Sequence, residues 1–561
     1  MDLSGYRESI DSADAAAFDI FDTLTVRPFF RPRDLFYFLE AESGLEGFHD
    51  ARIEAERSAR RAEFEPDIDR IYGFLDPKYS PLKDIEIESE IEFSRPDPDG
   101  VALFRYALEQ GKKTVLVSDM YLGKGIIEKI LERNGISGYS ALYVSSDLKA
   151  SKRAGSLYGK VLEDLGLDGK DVLMIGDNPR SDLAQARSSG LCAVRWMPLR
   201  ERYGECHPHE TKYVRKHPGL GPSVIVGMDI LQWSSGREES YWHAAARRFG
   251  GPMNVMFAEF VKRNSEDADG LVFFSRDGYM PMETYRILGG RKPSVYLHTS
   301  RAVAKVFGGR DLSDRDTVLS LMGYLRRSGR YPGLEVPGKS EYREFVAENR
   351  EFLEKVVDDG HARFAGYVNK MLEGMERPMM VDATTMKFTS QKDVERYLGH
   401  KAKGCYYAVM RDSPEDHAAY CDRTHQFLSS SYVNLAEFFM GSGENTVLDI
   451  GDGGEPVLAE DVSPDEEIRM EAFPEIYGGI MECAGFYKGM FGDRIPLIPG
   501  EDMDGWTDVL MAEDRGELSE IKWAVNTQHT IFRHLILRFS DLPGLVLMKA
   551  AELFSDNRKK L

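Results

Sequence analysis

The chain has 561 residues, of which 72 are Lys or Arg and 93 are Asp or Glu, so its formal net charge at pH 7 is −21. Hydrophobic residues make up 42% and aromatic residues 11% of the sequence, ordinary values for a globular protein that exclude the disordered and fibrous classes. The length predicts about three to four domains. An acidic chain without a basic, aromatic-rich stripe argues against a nucleic-acid partner, whereas a small anionic metabolite is compatible with it where a metal ion supplies positive charge.

Cysteine usage, the N-terminal segment and the hydropathy pattern bear on where the protein works. The five cysteines show neither metal-ligand spacing nor the density of a disulfide framework, which predicts a reducing compartment. The N-terminal segment carries acidic residues where a signal peptide has basic ones. No apolar run reaches the roughly 18 residues that a membrane-spanning helix needs. We therefore expect a cytoplasmic protein without a transmembrane span.

The first two hundred residues alternate between strand and helix patterns. Apolar, strand-like runs end at polar residues near positions 18, 118, 144 and 175, and helix-like segments separate them. Such alternation predicts an α/β fold with a Rossmannoid parallel sheet, whose polar residues gather at the carboxyl ends of the strands. A longer helical stretch, at about residues 27–112, interrupts the pattern after the first strand.

Four short motifs lie at these strand ends in a fixed order. They are Asp19 with Thr23 four residues later, Ser118 in VLVSDMY, Lys152 in KASKRAGSLY with Lys149 as the weaker candidate, and Asp177 with Asp182 in LMIGDNPRSD. In this set and order, over residues 15 to about 198, the sequence resembles the haloacid dehalogenase-like hydrolase superfamily. The resemblance implies a hydrolase domain at residues 1–200, with the helical stretch at about 27–112 as its cap.

The resemblance also implies a role for each motif residue. Asp19 is expected to act as a carboxylate nucleophile that forms a covalent intermediate. Ser118 and Lys152 are expected to hold the oxygens of the transferring group, with Thr23 and Asp119 as further substrate-binding residues. The implied cofactor is Mg²⁺, a hard cation that favours carboxylates, water and substrate phosphate. Its expected ligands are Asp19, the backbone carbonyl of Phe21, Asp177 and Asp182.

One position departs from the phosphatase pattern. Phosphatases of the superfamily carry a second Asp two residues after the nucleophile, which protonates the leaving group, but this sequence has Phe21 there. A positioned general acid contributes roughly 10²–10⁴ in rate, and Phe cannot supply it. The neighbouring Asp22 is a candidate substitute, although alternation along an extended strand points it to the other face. We expect either a substrate with a good leaving group or a domain that has become a binding module.

The chain beyond residue 200 begins with a predicted linker. Residues 201–222 are rich in His, Pro, Gly and charged residues, and the histidines lack ordered metal-ligand spacing. Residues 223–440 then show a second series of strand and helix patterns, which predicts a second α/β domain. Its strand ends are expected to gather Arg276, Asp277, Arg301 and Asp382. These residues suit either a phosphosugar or nucleotide site or an ion-paired structural cluster.

Three segments of this second region, FFSRDGY, YLHTSR and VDATTMKFTSQ, resemble the part that follows the hydrolase domain in large bacterial proteins associated with surface-polysaccharide synthesis. Residues 441–561 predict a hairpin followed by a helical region. The sequence VLDIGDGGEPVL at residues 447–458 indicates a hairpin turn rather than a nucleotide-binding loop, because no helix pattern follows its glycines. Residues 530–554 predict two amphipathic helices, for which docking on the protein's own core is favoured over peripheral contact with a membrane.

These patterns lead to one hypothesis and two alternatives. We expect a Mg²⁺-dependent hydrolase that uses an aspartyl nucleophile on a phosphorylated metabolite or sugar intermediate, with polysaccharide biosynthesis as a candidate setting. The first alternative is a non-enzymatic binding or scaffold protein built on a decayed hydrolase core, motivated by Phe21. The second is a glycosyl or phosphoryl transferase whose main site lies in the second half of the chain.

Overall fold

The chain divides into two compact units, Met1–Glu238 and Glu239–Leu561. The structure is a computed structural model that describes residues 2–236, 239–385, 387–422, 430–460 and 464–512. The helices predicted at residues 530–554 therefore lie outside the described residues. None of the helices within the described ranges has the length and apolar character needed to cross a membrane.

The first unit is built around a sheet of five parallel strands. The strands of this unit are β1 (Ala15–Phe18), β2 (Thr25–Val26), β3 (Arg95–Pro96), β4 (Lys113–Ser118), β5 (Ala141–Val144), β6 (Val172–Gly176) and β7 (Cys192–Arg195), of which β2 and β3 form a separate pair. The sheet order is β5-β4-β1-β6-β7, and every pairing in it is parallel. All four residues of β1 are buried, as expected for a central strand covered on both faces. The predicted α/β fold with a parallel sheet is confirmed.

The helices of the first unit connect these strands. They are α1 (Ser4–Asp11), α2 (Leu35–Ser43), α3 (Phe48–Ala62), α4 (Ile68–Tyr72), α5 (Leu82–Phe93), α6 (Pro98–Glu109), α7 (Lys124–Arg133), α8 (Ser145–Leu148), α9 (Ser156–Leu165), α10 (Ala186–Ser188), α11 (Leu199–Cys206), α12 (Pro208–Lys216) and α13 (Leu220–Trp233). A π-helical segment, Pro179–Gln185, runs directly into α10.

The helical cap is shorter than the sequence indicates. It consists of α2 to α5 and is inserted between β2 and β3, which pair with each other in antiparallel fashion. The predicted range of 27–112 wrongly includes α6, which packs on the sheet: its Phe104 ring meets Phe18 of β1 edge to face at 5.7 Å. Asp97 caps α6 by accepting hydrogen bonds from the amides of Asp99 and Gly100, and Pro98 occupies its first turn. A new helix therefore begins where the cap ends.

The predicted linker at residues 201–222 is helical. Residues 199–216 form α11 and α12, and residue 220 begins α13. Tyr203 of α11 is buried and donates a hydrogen bond of 2.5 Å to the Asp229 carboxylate on α13. Pro208 starts α12 instead of breaking the chain, because proline is favoured in the first turn of a helix. The first compact unit accordingly continues past residue 200 to Glu238.

The second unit contains another parallel sheet, so the predicted second α/β region is confirmed. Its strands are β8 (Gly270–Phe274), β9 (Ser294–Leu297), β10 (Pro378–Thr385), β11 (Gly404–Val409) and β12 (His417–Asp422), in the order β12-β11-β10-β8-β9. Two further strands, β13 (Val447–Ile450) and β14 (Pro456–Leu458), form an antiparallel hairpin at the position that the sequence indicates.

Helices surround this second sheet. They are α14 (Tyr241–Ala245), α15 (Gly251–Asn264), α16 (Tyr279–Ile287), α17 (Arg301–Val303), α18 (Arg315–Arg327), α19 (Tyr342–Met371), α20 (Thr389–Leu398), α21 (Ser430–Met440), α22 (Pro464–Phe491) and α23 (Gly500–Ala512). Two π-helical segments, Ala246–Gly250 and Ala304–Gly309, link α14 to α15 and extend α17.

A buried carboxyl group on α20 gives the second unit a predicted pH dependence. The side chain of Asp393 is 1% exposed, and its Oδ2 atom has no hydrogen-bond partner among the described residues. Burial raises the pKa of Asp393 to about 7, against the opposing charge of Arg396, 3.2 Å away. Since the folded chain holds a proton that the unfolded chain releases near pH 4, the free energy of unfolding falls as the pH rises from about 4 to about 7.

We expect Asp393→Asn to remove this pH dependence. The variant should match the wild type at pH 4 and exceed it in free energy of unfolding by about 2–4 kcal/mol at pH 8. The measurement is the difference in Tm between variant and wild type at several pH values. Asp358→Asn, at a carboxylate that is 68% exposed, is the matched control and should show no such trend. A constant difference in Tm from pH 4 to pH 8 would contradict the prediction.

Candidate active site

Three neighbouring strands of the first sheet bring the predicted motif residues to one edge. Because β1 lies between β4 and β6, and all three run in the same direction, their carboxyl ends are adjacent. Asp19 follows β1, Ser118 ends β4 and Asp177 follows β6. The amide of Asp19 donates a hydrogen bond of 2.9 Å to the carbonyl of Ile175 on β6, which fixes the start of the loop after β1.

A lysine between two carboxylates lies at the centre of this edge. The ammonium group of Lys152 is 2.5 Å from Oδ1 of Asp19 and 2.8 Å from Oδ1 of Asp182. All three side chains are buried. Burial by itself lowers the pKa of Lys152, but the carboxylates of Asp182 and Asp19 outweigh it and raise that pKa well above its ordinary value. Lys152 therefore stays a cation and compensates the two acids.

The loop that carries Lys152 is held by Asp119. One carboxylate oxygen of Asp119 accepts a hydrogen bond of 2.7 Å from the amide of Lys152, and the other accepts one of 3.2 Å from the amide of Arg153. Lys149, the weaker candidate for the third motif, reaches the cap instead, where its ammonium group lies 2.9 Å from Glu63. The structure places Lys152, and not Lys149, beside Asp19. Asp119 holds the loop and also lies in the wall of the neighbouring cavity, so its substrate-binding role stays a prediction.

A tight turn after β6 places the two acids of the fourth motif. The side-chain oxygen of Asn178 accepts hydrogen bonds from the backbone amides of Arg180 and Ser181 and so caps the π-helical segment. The backbone amide of Asn178 donates a hydrogen bond of 3.0 Å to Oδ2 of Asp182. The turn needs glycine at Gly176, where an added Cβ would lie only 2.5 Å from the carboxylate of Asp182. Asp182 is consequently held beneath the strand end.

An ion pair that the sequence did not predict joins the loop after β1 to the loop after β6. Arg200, on α11, pairs closely with the carboxylate of Asp22 and lies 3.6 Å from that of Asp177. Asp22 adopts a positive φ of 57° at the turn. The carboxylate of Asp22 is engaged by this ion pair, which does not favour the role of substitute acid. The sequence did not indicate Arg200, because it belongs to none of the four motifs and is close to Asp22 only in the folded protein.

Three carboxylates fit a divalent metal ion. One oxygen each from Asp19, Asp177 and Asp182 lies within 4.8 Å of the others. Burial, together with the neighbouring charges of Asp22 and Asp182, raises the pKa of Asp177 to about 7. Four acidic side chains here, including Asp22, face two cations, Lys152 and Arg200. Oxygen donors of this kind are the ligands that Mg²⁺ prefers.

The site opens into a cavity of about 420 Å³ between the sheet edge and the cap. The volume suits a small metabolite. The sheet side contributes Asp19, Phe21, Asp22, Ser118, Asp119, Met120, Tyr121, Lys152, Asp177, Asn178, Ser181, Asp182 and Arg200, and the cap side contributes Arg27, Pro32, Arg33, Phe36, Glu56 and Glu90.

The structure places the predicted substrate-binding residues Ser118 and Thr23 differently with respect to the cavity. Ser118 lines the cavity, and its hydroxyl makes no hydrogen bond with any described residue, so it is available to a ligand. Thr23 was predicted to bind substrate, but it is not in the cavity wall. It is buried in the turn after β1, where its carbonyl oxygen would lie 2.0 Å from a Cβ added to Gly100 of α6. Thr23 contributes to the packing of this turn.

Three of the four candidate residues of the second unit lie on or directly after two neighbouring strands, β8 and β10. Arg276 and Asp277 follow β8, which neighbours β10 in the sheet. Asp382 does not end its strand: β10 continues to Thr385, and Asp382 pairs with Tyr406 of β11. Arg301 begins α17, and its side chain lies outside the described part of the structure. Both readings of this group, as a ligand site or an ion-paired cluster, stay hypotheses.

Comparison with known proteins agrees with this geometry. Residues 13–190 match the family described as haloacid dehalogenase-like hydrolase. These residues form a haloacid dehalogenase-like hydrolase domain. No curated protein matches the sequence.

Solved structures that resemble this hydrolase domain include dehalogenases and phosphatases. The L-2-haloacid dehalogenase of Xanthobacter autotrophicus is 17% identical, with 33% of this chain and 77% of that chain covered and a TM-score of 0.26. A HAD phosphatase of Thermococcus onnurineus is 21% identical, with 32% of this chain and 85% of that chain covered and a TM-score of 0.26. A predicted phosphoglycolate phosphatase of Haemophilus somnus 129pt is 18% identical, with 33% of this chain and 86% of that chain covered and a TM-score of 0.26.

Proposed function

We propose that the first unit is a Mg²⁺-dependent hydrolase that transfers a phosphoryl group from a small phosphorylated metabolite to Asp19 and then to water. The observation that carries the proposal is the buried Asp19–Lys152–Asp182 arrangement, with contacts of 2.5 and 2.8 Å, in the wall of a cavity. Three acids that crowd together at the edge of a sheet cost electrostatic energy, and a site that binds a cation and a phosphoryl group recovers it.

Each residue has a role in this proposal. The carboxylate of Asp19 attacks phosphorus and forms an aspartyl phosphate. Lys152 and the hydroxyl of Ser118 donate hydrogen bonds to the oxygens of the transferring group. Asp19, Asp177 and Asp182, with the backbone carbonyl of Phe21, would hold Mg²⁺. When bound, the ion neutralises charge on the phosphoryl oxygens and orients them toward the nucleophile.

Phe21 restricts the substrates that such a site can use. No side chain two residues after the nucleophile can protonate a leaving alkoxide, and Asp22 is engaged by Arg200. For a phosphate ester with a poor leaving group, the reaction lacks the roughly 10²–10⁴-fold rate acceleration that a general acid supplies. The proposal therefore favours a phosphoryl donor whose leaving group departs without a proton.

The alternatives receive less support. A scaffold on a decayed core has no physical need for a buried lysine between two carboxylates, or for a serine hydroxyl left available in a cavity. A transferase in the second unit would rest on Arg276, Asp277 and Asp382, which suit an ion-paired structural cluster as well as a ligand site. The polysaccharide setting and the cytoplasmic location stay predictions.

The test uses beryllium trifluoride, a phosphoryl mimic that needs no knowledge of the substrate. With Mg²⁺, we expect fluorine NMR of the full-length protein to show a bound signal that is lost in Asp19→Asn and when Mg²⁺ is omitted. Turnover of acetyl phosphate should fall to the uncatalysed rate in the same variant. Asp168→Asn, at a carboxylate that is 78% exposed, is the matched control and should behave as wild type. Equal signals from Asp19→Asn and wild type would refute the nucleophile assignment.

A further inference from the structure

A buried arginine lies where the phosphatase acid is missing. Arg27 follows β2 and lines the cavity, with its side chain 6% exposed. Its guanidinium carbon is 4.7 Å from the centre of the Phe21 ring. Phe21 occupies the position from which a phosphatase of this superfamily would protonate the leaving group. The Arg27 guanidinium therefore lies against Phe21, the residue found in place of the proton donor.

A hydrogen bond to the cap holds Arg27 in place and leaves its other donors available. Its Nε atom donates a hydrogen bond of 2.7 Å to Oε2 of Glu90, a buried carboxylate on α5 of the cap. Its two Nη groups make no hydrogen bond with any described residue, although the side chain is more than nine-tenths buried. The pair with Glu90 fixes the plane of the guanidinium, and the end that carries the two Nη groups is left for a ligand.

The other cationic side chains that line the cavity are either engaged by carboxylates or exposed to solvent. Lys152 lies between Asp19 and Asp182, and Arg200 lies between Asp22 and Asp177. Arg33 also lines the cavity, but it is exposed to solvent, where its attraction for an anion is screened. Among the cations that line this cavity, Arg27 is therefore the buried one whose two Nη nitrogens remain available to a bound anion.

We propose that Arg27 binds the leaving group as an anion, and that the substrate of this site is an acyl phosphate. The inference rests on the proposed function and extends it to the substrate class. A carboxylate leaving group has two oxygens that match the two Nη groups of a guanidinium in a pair of parallel hydrogen bonds. Transition-state charge on the departing oxygen is then stabilised by a fixed, buried cation, so no proton is needed.

The reaction balances without a general acid. The carboxylate of Asp19 forms a bond to phosphorus while the bond from phosphorus to the acyl oxygen breaks, and the electron pair of that bond stays on the leaving carboxylate. Water then attacks phosphorus and breaks the aspartyl phosphate, which restores the Asp19 carboxylate. Both protons of the attacking water stay on the inorganic phosphate, which is released as dihydrogen phosphate. No oxidant, reductant or further reactant enters.

The test separates leaving-group binding from folding and from phosphoryl binding. Arg27→Gln should lower kcat/KM for acetyl phosphate by about 10²–10³-fold. Because beryllium trifluoride has no leaving group, Arg27→Gln should bind it with Mg²⁺ as the wild type does. Arg27→Lys keeps the charge but not the two-point contact, and it should recover only part of the loss. Across a series of substituted phenyl phosphates, the rate should depend more steeply on leaving-group acidity in Arg27→Gln than in wild type.

Each outcome decides the inference. Unchanged turnover of acetyl phosphate in Arg27→Gln would overturn it. A parallel loss of the beryllium trifluoride signal would also overturn it, because Arg27 would then only support the structure. An unchanged leaving-group slope would exclude Arg27 as the group that receives the anion. If the wild type itself binds no beryllium trifluoride, the proposed function fails, and that result is distinct from a failure of the Arg27 assignment.

Discussion

Replacing Lys152 with Gln is expected to lower the turnover of acetyl phosphate by about 10²–10³-fold and to destabilise the first unit in a pH-dependent way. The ammonium group lies 2.5 Å from Asp19 and 2.8 Å from Asp182, so its removal leaves two adjacent buried carboxylates without a cation. Breaking a buried ion pair by removing one partner costs about 3–5 kcal/mol. This penalty applies where both carboxylates are ionised.

The sign of the pH dependence follows from proton uptake. Burial already raises the pKa of Asp19 well above its ordinary value, and loss of the Lys152 charge raises it further. The folded variant therefore holds a proton that the unfolded chain releases near pH 4. The destabilisation relative to wild type should be small at pH 5 and complete at pH 8.

The measurement is the difference in Tm between Lys152→Gln and wild type at pH 5 and pH 8, in the absence of divalent cations. Lys149→Gln is the matched control, because that lysine is 46% exposed and pairs with Glu63 on the surface. It should change the free energy of unfolding by less than about 1 kcal/mol. Equal destabilisation of Lys152→Gln at both pH values would show that the two carboxylates do not depend on this lysine.

Restoring an acid at position 21 should widen the substrate range, but only when Arg27 is also replaced. In Phe21→Asp the new carboxyl group would lie beside the Arg27 guanidinium, which is 4.7 Å from the present ring, and the cation would keep it ionised. An ionised carboxylate donates no proton. We therefore expect the single variant to hydrolyse glucose 6-phosphate as poorly as the wild type.

The double variant Phe21→Asp with Arg27→Gln is expected to hydrolyse glucose 6-phosphate about 10²–10⁴ times faster than its matched control, Phe21→Asn with Arg27→Gln. The two proteins differ only in the ability to donate a proton, so the ratio of their kcat/KM values measures that contribution. Equal rates would exclude position 21 as the site from which an acid acts. A faster single than double variant would show that Arg27 does not control the ionisation of the acid.

The four motifs could be placed from sequence because each follows a strand, and parallel strands bring their carboxyl ends together. The separation of Lys152 from Lys149 needed the structure, since both follow β5 and only the contacts with Asp19 and Glu63 distinguish them. Composition misled at residues 201–222, where Pro and His suggested a linker although Tyr203 is buried by α13. The sequence also led us to assign α6 to the cap, because a helical pattern does not show which surface the helix packs against.

Arg27 and Arg200 show what local patterns cannot supply. Each acts on a residue distant in sequence, Glu90 in the first case and Asp22 in the second. Neither pairing has a fixed spacing, since each depends on how the cap or α11 packs against the sheet edge. Phe21 pointed to an unusual leaving group, but the cation that faces it became visible only in the folded protein.

The position of Arg200 sets the smallest portion of the chain that should be expressed to test the proposed activity. Residues 13–190 include all four motifs, yet they end before α11 and so omit the cation that lies between Asp22 and Asp177. A fragment cut at residue 190 would carry the proposed nucleophile and metal ligands but would lack the arginine that pairs with Asp22 and Asp177. A fragment made to test the proposed activity should therefore extend to Glu238, where the first compact unit ends.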